Sequence, residues 1–260
     1  MFAIETKNLT KCFNGLRAVD SVSLKIKKGE LFGILGPNGA GKTTLILMLA
    51  TIRKPTSGSA KIYNYDVVKN QDDVRRRIGI VFQDPSLDDE LYGRENLELH
   101  GMLYHMNKEL REKRIKEVLE LVGLTKKAGM KVKTYSGGMK RRLEIARGLM
   151  HTPRVLFLDE PTLGLDPQTR RNIWDFIKRL KRERITIILT THYMEEAEYL
   201  CDRIAIIDQG RIIALDTPKN LKEKHSAKTL EDVFIYYTGR YIRDELAGPI
   251  DRMRYRFRHS

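Results

Sequence analysis

The chain has 260 residues, 41% hydrophobic and 32% charged, a globular composition long enough for one large domain with an inserted subdomain. Its 48 Lys and Arg against 34 Asp and Glu give a formal charge of +14, which suits an anionic partner. Only Cys12 and Cys201 are present, far apart, which excludes a disulfide framework or a cysteine metal knuckle; residues 1–7 lack a signal-peptide shape, and no apolar run nears the ~20 residues of a membrane span.

Residues 4–7 and 22–26 alternate in and out as strands, with a turn at Asn14-Gly15 between them. Lys28-Gly29-Glu30 turns the chain into the apolar run 31–35, a buried strand, and residues 45–52 read as a helix. Between them, Gly36-Pro37-Asn38-Gly39-Ala40-Gly41-Lys42-Thr43-Thr44 fits G-x-x-x-x-G-K-[ST], the phosphate-binding loop, in the strand–loop–helix context the motif requires. Its glycines let consecutive backbone N–H groups turn inward as an anion nest. Lys42 adds a point charge for the β- and γ-phosphates, and Thr43 a hydroxyl for Mg²⁺. The helix N-terminus adds its partial positive charge.

Residues 54–58 form a loop, and 61–63 and 78–82 read as strands, the second ending at Gln83. From about 85 to 150 the texture is helical, over 94–105, 108–122 and 138–150, with Gly123 and Gly129 as stops. Tyr135-Ser136-Gly137-Gly138-Met139, followed by Lys140-Arg141-Arg142, places a second anion-binding helix start inside this insert. The apolar strand 155–158 ends in Asp159-Glu160. An acid at such a strand end holds Mg²⁺ through water, and its neighbour can polarise the attacking water.

Helix 169–181, strand 185–190, helix 193–200 and strand 203–207 then alternate as a parallel sheet covered by helices, with His192 just past a strand end. Strands 203–207 and 211–215 form a hairpin around Asp208-Gln209-Gly210. The segment after 218 is partly helical. Residues 240–260 hold six arginines against three acids, a basic tail read as solvated chain that can also touch anionic headgroups.

In this order and spacing the set resembles the ATP-binding-cassette (ABC) ATPases over about residues 3–240. The resemblance implies an α/β fold: a P-loop core with a mixed β-sheet flanked by helices, an N-terminal antiparallel β-subdomain, and the helical insert. The cassette would occupy 1–240 and the tail 241–260. Gly36 to Thr44 resembles the Walker A loop, Gln83 the Q-loop glutamine, and Tyr135 to Met139 the signature motif, usually Leu-Ser-Gly-Gly-Gln. Asp159 and Glu160 resemble the Walker B aspartate and catalytic glutamate, Leu163-Gly164-Leu165-Asp166 the D-loop, and His192 the switch histidine. Phe13 lies where the family places an aromatic that stacks on adenine. Being Phe rather than Tyr, it offers no phenol hydrogen bond.

By the same carry-over, Glu160, His192 and Gln83 are the expected catalytic set. Thr43, Gln83 and Asp159 are expected around Mg²⁺, and Ser136, Gly137, Gly138 and Met139 on the ATP of a second chain. The signature departs from the family pattern at Tyr135 and Met139 with its Ser-Gly-Gly core intact. That variant, the run Thr190-Thr191-His192-Tyr193-Met194-Glu195-Glu196-Ala197, and Leu230-Glu231-Asp232-Val233-Phe234 near Thr238-Gly239-Arg240 resemble the daunorubicin-resistance type of ATPase, which serves ABC-2-type exporters.

The resemblance therefore implies ATP and Mg²⁺ as cofactors and a head-to-tail pair of ATPase chains, expected to be identical. It also implies a separate polytopic membrane subunit contacted near Asp84 to Arg94, and a cytoplasmic place on the inner face of the membrane. Nucleic acid is not expected: a repair-type coiled coil is absent between the nucleotide motifs, and a translation-type second cassette is absent too. An importer subunit or a nucleic-acid-associated ABC ATPase are the alternatives.

Overall fold

The computed structural model describes residues 1–239, so the basic tail lies outside the described residues. The chain begins with β1 (Phe2–Phe13), turns through Asn14-Gly15, and returns as β2 (Leu16–Val22). Asn14 and Gly15 have φ of +45° and +85°, the left-handed pair of a type I′ hairpin. The expected strand 22–26 is two strands. β2 ends at Val22, and β3 (Lys25–Lys27) pairs with an earlier part of β1. Thr6 spans the break, its hydroxyl donating to the Val22 carbonyl at 2.9 Å and accepting from Leu24 N–H at 2.8 Å. A side chain thus supplies the bonds that a continuous ladder would have made.

β4 (Leu31–Leu35) enters a second sheet and leads into α1 (Lys42–Leu49). The expected helix 45–52 is displaced: it starts at Lys42 because the phosphate loop itself supplies the first turn, and it ends early because Thr51 takes φ +64°. β5 (Ser57–Ile62) and β6 (Tyr65–Asp66) complete the antiparallel sheet in the order β2-β1-β5-β6. Next come α2 (Gln71–Arg75) and β7 (Ile78–Val81). β6 and α2 were absent from the sequence reading, being too short to show a period.

The helical segment holds α3 (Gly93–Leu103), α4 (Lys108–Leu121) and α5 (Gly137–Leu149), which pack on one another, and α5 also lies against β7. Then follow β8 (Val155–Asp159), α6 (Pro167–Arg182), β9 (Thr186–Thr191), α7 (Met194–Leu200), the hairpin β10 (Arg203–Asp208) and β11 (Arg211–Asp216), α8 (Pro218–Lys224) and α9 (Leu230–Thr238).

The second sheet has the order β11-β10-β4-β9-β8-β7, parallel except for the β10–β11 hairpin at its edge. β4, β8 and β9 are buried on both faces, which is why they read as near-continuous apolar runs. Alternate residues feed two cores. Leu31, Leu35, Leu156, Leu158, Ile187 and Leu189 pack towards helices α3 to α9. Phe32, Ile34, Val155, Phe157 and Ile188 pack towards α1 and the antiparallel sheet. Each such side chain contributes about 1.5–3 kcal/mol by leaving water.

A smaller aromatic cluster lies where the helical segment meets β7. His151 stacks on Tyr104 with ring centroids 3.9 Å apart, and its Nε2 lies 2.7 Å from the Ile78 carbonyl. His100 lies 4.9 Å from Tyr104. Burial pushes the His100 imidazole down to about 3, helped by the Arg147 charge, and burial also lowers His151. Both rings are therefore neutral in the folded chain and take protons more readily when it unfolds. Their stabilisation is complete above the ordinary imidazole value and declines as pH falls from there towards the folded values, by up to ~1.4 kcal/mol per pH unit for each ring. Urea titrations at pH 7.5 and 5.5 should show a lower midpoint at pH 5.5, and His100→Gln should reduce the difference. An equal difference in wild type and His100→Gln would remove this account.

Candidate active site

Parallel register brings the ends of β4, β7, β8 and β9 to one edge of the second sheet. Leu35 pairs with Thr191, Asp159 with Thr190, and Val81 with Leu158. Gly36, Glu160 and His192 follow three of these ends directly, and Gln83 follows β7 after Phe82. At Gly41 the phosphate loop turns with φ +100° and lies against β2, and a Cβ there would come within 2.2 Å of the Ala18 carbonyl oxygen. Ala18, residues 37–44, Gln83 and Glu160 line a cavity of about 210 Å³.

Lys42 is buried within this turn. Its ammonium donates to the Gly36 and Pro37 carbonyls at 2.8 and 3.1 Å and pairs with Glu160 Oε1 at 3.2 Å. The other carboxylate oxygen of Glu160 lies 2.7 Å from His192 Nδ1. Burial pushes the Glu160 carboxyl up, but the hydrogen bond to His192 and the Lys42 charge outweigh it, and the net position is below the ordinary carboxylate value. An ionised Glu160 makes His192 Nδ1 the donor in their contact. Its other nitrogen, Nε2, is buried with no hydrogen-bond partner among the described residues.

The backbone holds Glu160 at φ +49°. Its N–H donates to the Thr190 carbonyl at 3.2 Å and to the Thr190 hydroxyl at 3.0 Å, and that hydroxyl donates to Asp159 Oδ1. One threonine thus fixes both acids at the end of β8. Thr43 is exposed on the first turn of α1, and Gln83 lines the cavity. Phe13 does not line it; its ring lies 5.2 Å from both the Lys11 ammonium and the Arg53 guanidinium.

Ser136 caps α5 by accepting from Met139 N–H at 3.3 Å. Ser136, Gly137 and Gly138 stand at that helix start and do not line the Lys42 cavity, although Gly137 lines a cavity of about 260 Å³ with Gln83 and Glu160; Ser136 and Gly137 are exposed and Met139 is partly packed on the core. Asp166 caps α6, accepting from Thr169 N–H at 2.9 Å.

Two features escaped the sequence reading. Tyr135 is buried, its hydroxyl donating to the Lys127 carbonyl at 2.6 Å. Gly93, at the start of α3, leaves room for that ring, because a Cβ there would come within 2.2 Å of the Tyr135 oxygen. The departure from Leu at this position is therefore a tyrosine–glycine pair separated by more than forty residues in sequence. The second is Glu196 on α7, fully buried and accepting from Thr162 Oγ1 and Trp174 Nε1, both at 2.8 Å. Burial pushes this carboxyl up. Its spacing of four from Leu200, on the buried stripe of α7, was the available signal.

Residues 19–163 match the family model described as ABC transporter. The chain belongs to the ABC transporter family. This ABC chain is 46% identical over 228 residues to the daunorubicin/doxorubicin resistance ATP-binding protein DrrA of Streptomyces peucetius, covering 88% of itself and 69% of that protein. It is 44% identical over 227 residues to the linearmycin resistance ATP-binding protein LnrL of Bacillus subtilis, covering 87% of itself and 73% of that protein. Among solved structures, the dimeric post-hydrolysis state of the cassette MJ0796 bound to ADP and Pi superposes with a TM-score of 0.72 at 32% identity, covering 82% of this chain and 98% of that one. The ABC chain described here is accordingly an ATPase, and ATP is its ligand.

The Tyr135–Gly93 pair can be tested by a double-mutant cycle. Tyr135→Leu removes one of two donors to the Lys127 carbonyl, which keeps Met130 N–H at 3.0 Å, and should cost about 0.5–1.5 kcal/mol. Gly93→Ala should also destabilise, by collision with the phenol. The double variant should be more stable than the sum of the two losses, measured by urea unfolding. Strict additivity would break the pairing.

Proposed function

We propose that this ATPase powers an ABC-2-type export complex, with two chains closing head-to-tail over ATP and driving a separate membrane subunit. The observation that carries the paired arrangement is the separation within one chain of two phosphate-directed features. Glu160 lines the cavity around Lys42 and pairs with His192, whereas Ser136–Met139 do not line it, and Ser136 and Gly137 are exposed. A second copy can bring that helix start to the first copy's triphosphate, and the dimeric state of the related cassette supports this.

In this reading residues 36–44 cradle the phosphates, and Lys42 leaves Glu160 for the β- and γ-phosphates. Glu160, released, orients or deprotonates water. His192 keeps Nδ1–H on Glu160 and, with both ring nitrogens protonated, would donate from its unpartnered Nε2 to the γ-phosphate. Gln83 senses the same phosphate, and Phe13 is the candidate platform for adenine. Thr43, Gln83 and Asp159 form an all-oxygen donor set suited to Mg²⁺, which neutralises phosphate charge when bound.

Glu160→Gln should bind MgATP, turn over at least ~100-fold more slowly, and accumulate as an ATP-dependent dimer in size-exclusion chromatography. Ser136→Arg should keep ATP binding by the monomer but lose both dimer and turnover. Intact hydrolysis in Ser136→Arg would remove the signature from the active site.

The names of the relatives support export of a toxic small molecule. No helix among the described residues is long and apolar enough to cross a membrane, so motion has to reach another polypeptide in this reading. The surface best suited to receive it is on α3. Tyr92, just before α3, and Leu99, Met102 and Leu103, along one side of it, are exposed apolar residues, with Leu103 at 69% exposure. They continue the segment Asp84 to Arg94 that follows Gln83. The chain then belongs at the cytoplasmic face of the membrane.

Cysteines placed at Tyr92 and Leu99 should cross-link to cytoplasmic loops of the co-expressed membrane subunit, with yields that change on adding MgATP. Cross-links confined to other faces would reject this surface. Recovery of nucleic acid with a steep salt dependence would favour a nucleic-acid-associated ATPase instead.

A further inference from the structure

The basic run after the signature was legible only as charge, yet its residues have very different partners. Arg141 is buried, with its guanidinium facing inward from α5. It donates to three main-chain carbonyls: Phe82 at 2.6 Å, Pro161 at 2.7 Å and Asp159 at 2.9 Å. Phe82 immediately precedes Gln83. Asp159 and Pro161 flank Glu160. Burial pushes the Arg141 guanidinium below its ordinary value, and the charges of Glu144, Glu196, Asp159 and Glu160 oppose that shift.

The same face of α5 continues at spacings of three. Glu144 accepts from Ser86 N–H at 2.7 Å. Arg147 donates to the Ser86 carbonyl at 2.6 Å, bonds the Ser86 hydroxyl, and reaches Glu144 at 3.2 Å. The Gln83 loop is therefore fastened to α5 on both sides of Gln83. Further along, Lys140 holds Asp89 at 2.8 Å, and Lys133 holds Glu90 at 3.0 Å.

We infer that Arg141 is a positioning residue that links the two ATP sites of the pair. The inference rests on the head-to-tail reading above. There, the Ser136 end of α5 serves the partner's ATP, while Gln83 and Glu160 serve the chain's own. A shift of α5 on meeting the partner's phosphate carries Arg141 with it, and Arg141 moves the main chain on either side of Glu160 and just before Gln83. Few side chains can do this. Arg presents five N–H donors in a rigid planar fork, whereas Lys offers a rotating point charge that cannot span three carbonyls from one position. Glu144 and Arg147 keep the Gln83 loop in step with the same helix.

The test compares wild type, Arg141→Lys and Arg147→Ala as full-length chains. Three quantities are read: affinity for MgATP at protein concentrations too low for pairing, steady-state turnover against MgATP concentration, and the urea midpoint. Wild type should turn over cooperatively, with a Hill coefficient approaching 2, the number of sites. Arg141→Lys should bind ATP as a monomer within about twofold of wild type, lose roughly tenfold or more in kcat, and fall to a Hill coefficient near 1.

Arg147→Ala lies at the outer end of the face and removes only the bonds to Ser86 and Glu144. It should fold normally and show a smaller loss of cooperativity. If Arg141→Lys does not fold, this variant decides alone, and an unchanged Hill coefficient in it overturns the link. Cooperative turnover in folded Arg141→Lys overturns it too, as does a loss of monomer affinity that tracks the urea midpoint, which marks a packing role only. A wild-type Hill coefficient of 1 with no ATP-driven dimer would instead defeat the pairing itself, and the link with it.

Discussion

The register of the parallel strands is the constraint on which the rest depends. Because β7, β8, β9 and β4 end level with one another, four loops that are distant in sequence emerge at a single edge. The register is set by burial. Alternate side chains of each strand belong to different cores, so a slip of one residue would move Phe157 and Ile188 out of the core they share and Leu158 and Leu189 out of theirs. Chemistry at the edge is thus fixed by apolar packing well below it.

At that edge three ionisable groups are buried together. An isolated buried carboxylate or ammonium would be strongly unfavourable. Here Lys42, Glu160 and His192 satisfy one another, and the Gly36 and Pro37 carbonyls take two of the remaining ammonium donors. Such a cluster adds little net stability, because desolvation offsets most of the attraction. What it provides is a defined orientation for each group.

Much of this was legible in the sequence because it is local. The phosphate loop, Asp159-Glu160 and the turns at Asn14-Gly15 and Asp208-Gln209-Gly210 are written in consecutive residues. The sequence placed His192 after a strand, and only the family resemblance gave it a role. The features that were not legible depend on contacts between distant segments. Nothing near Tyr135 announces Gly93, and a run of three cations gives no hint that its middle member, Arg141, faces inward. The break between β2 and β3 is invisible because Thr6, the residue that stitches it, lies in another strand. Phe13 was placed at the adenine by resemblance alone; its ring lies beside the Lys11 and Arg53 cations and outside the lining of the Lys42 cavity.

The Lys42–Glu160 ion pair has a consequence for ligand choice. Since the ammonium already has a counter-ion, the arrival of a polyphosphate is an exchange of one anion for another rather than the filling of a bare positive hole. A ligand carrying terminal phosphates competes for Lys42 and sets the carboxylate free. A nucleoside or monophosphate that cannot reach the ammonium leaves the two paired. Lys42 thus serves as internal counter-ion to the proposed base, and release of that base would be tied to the same group that would become its target.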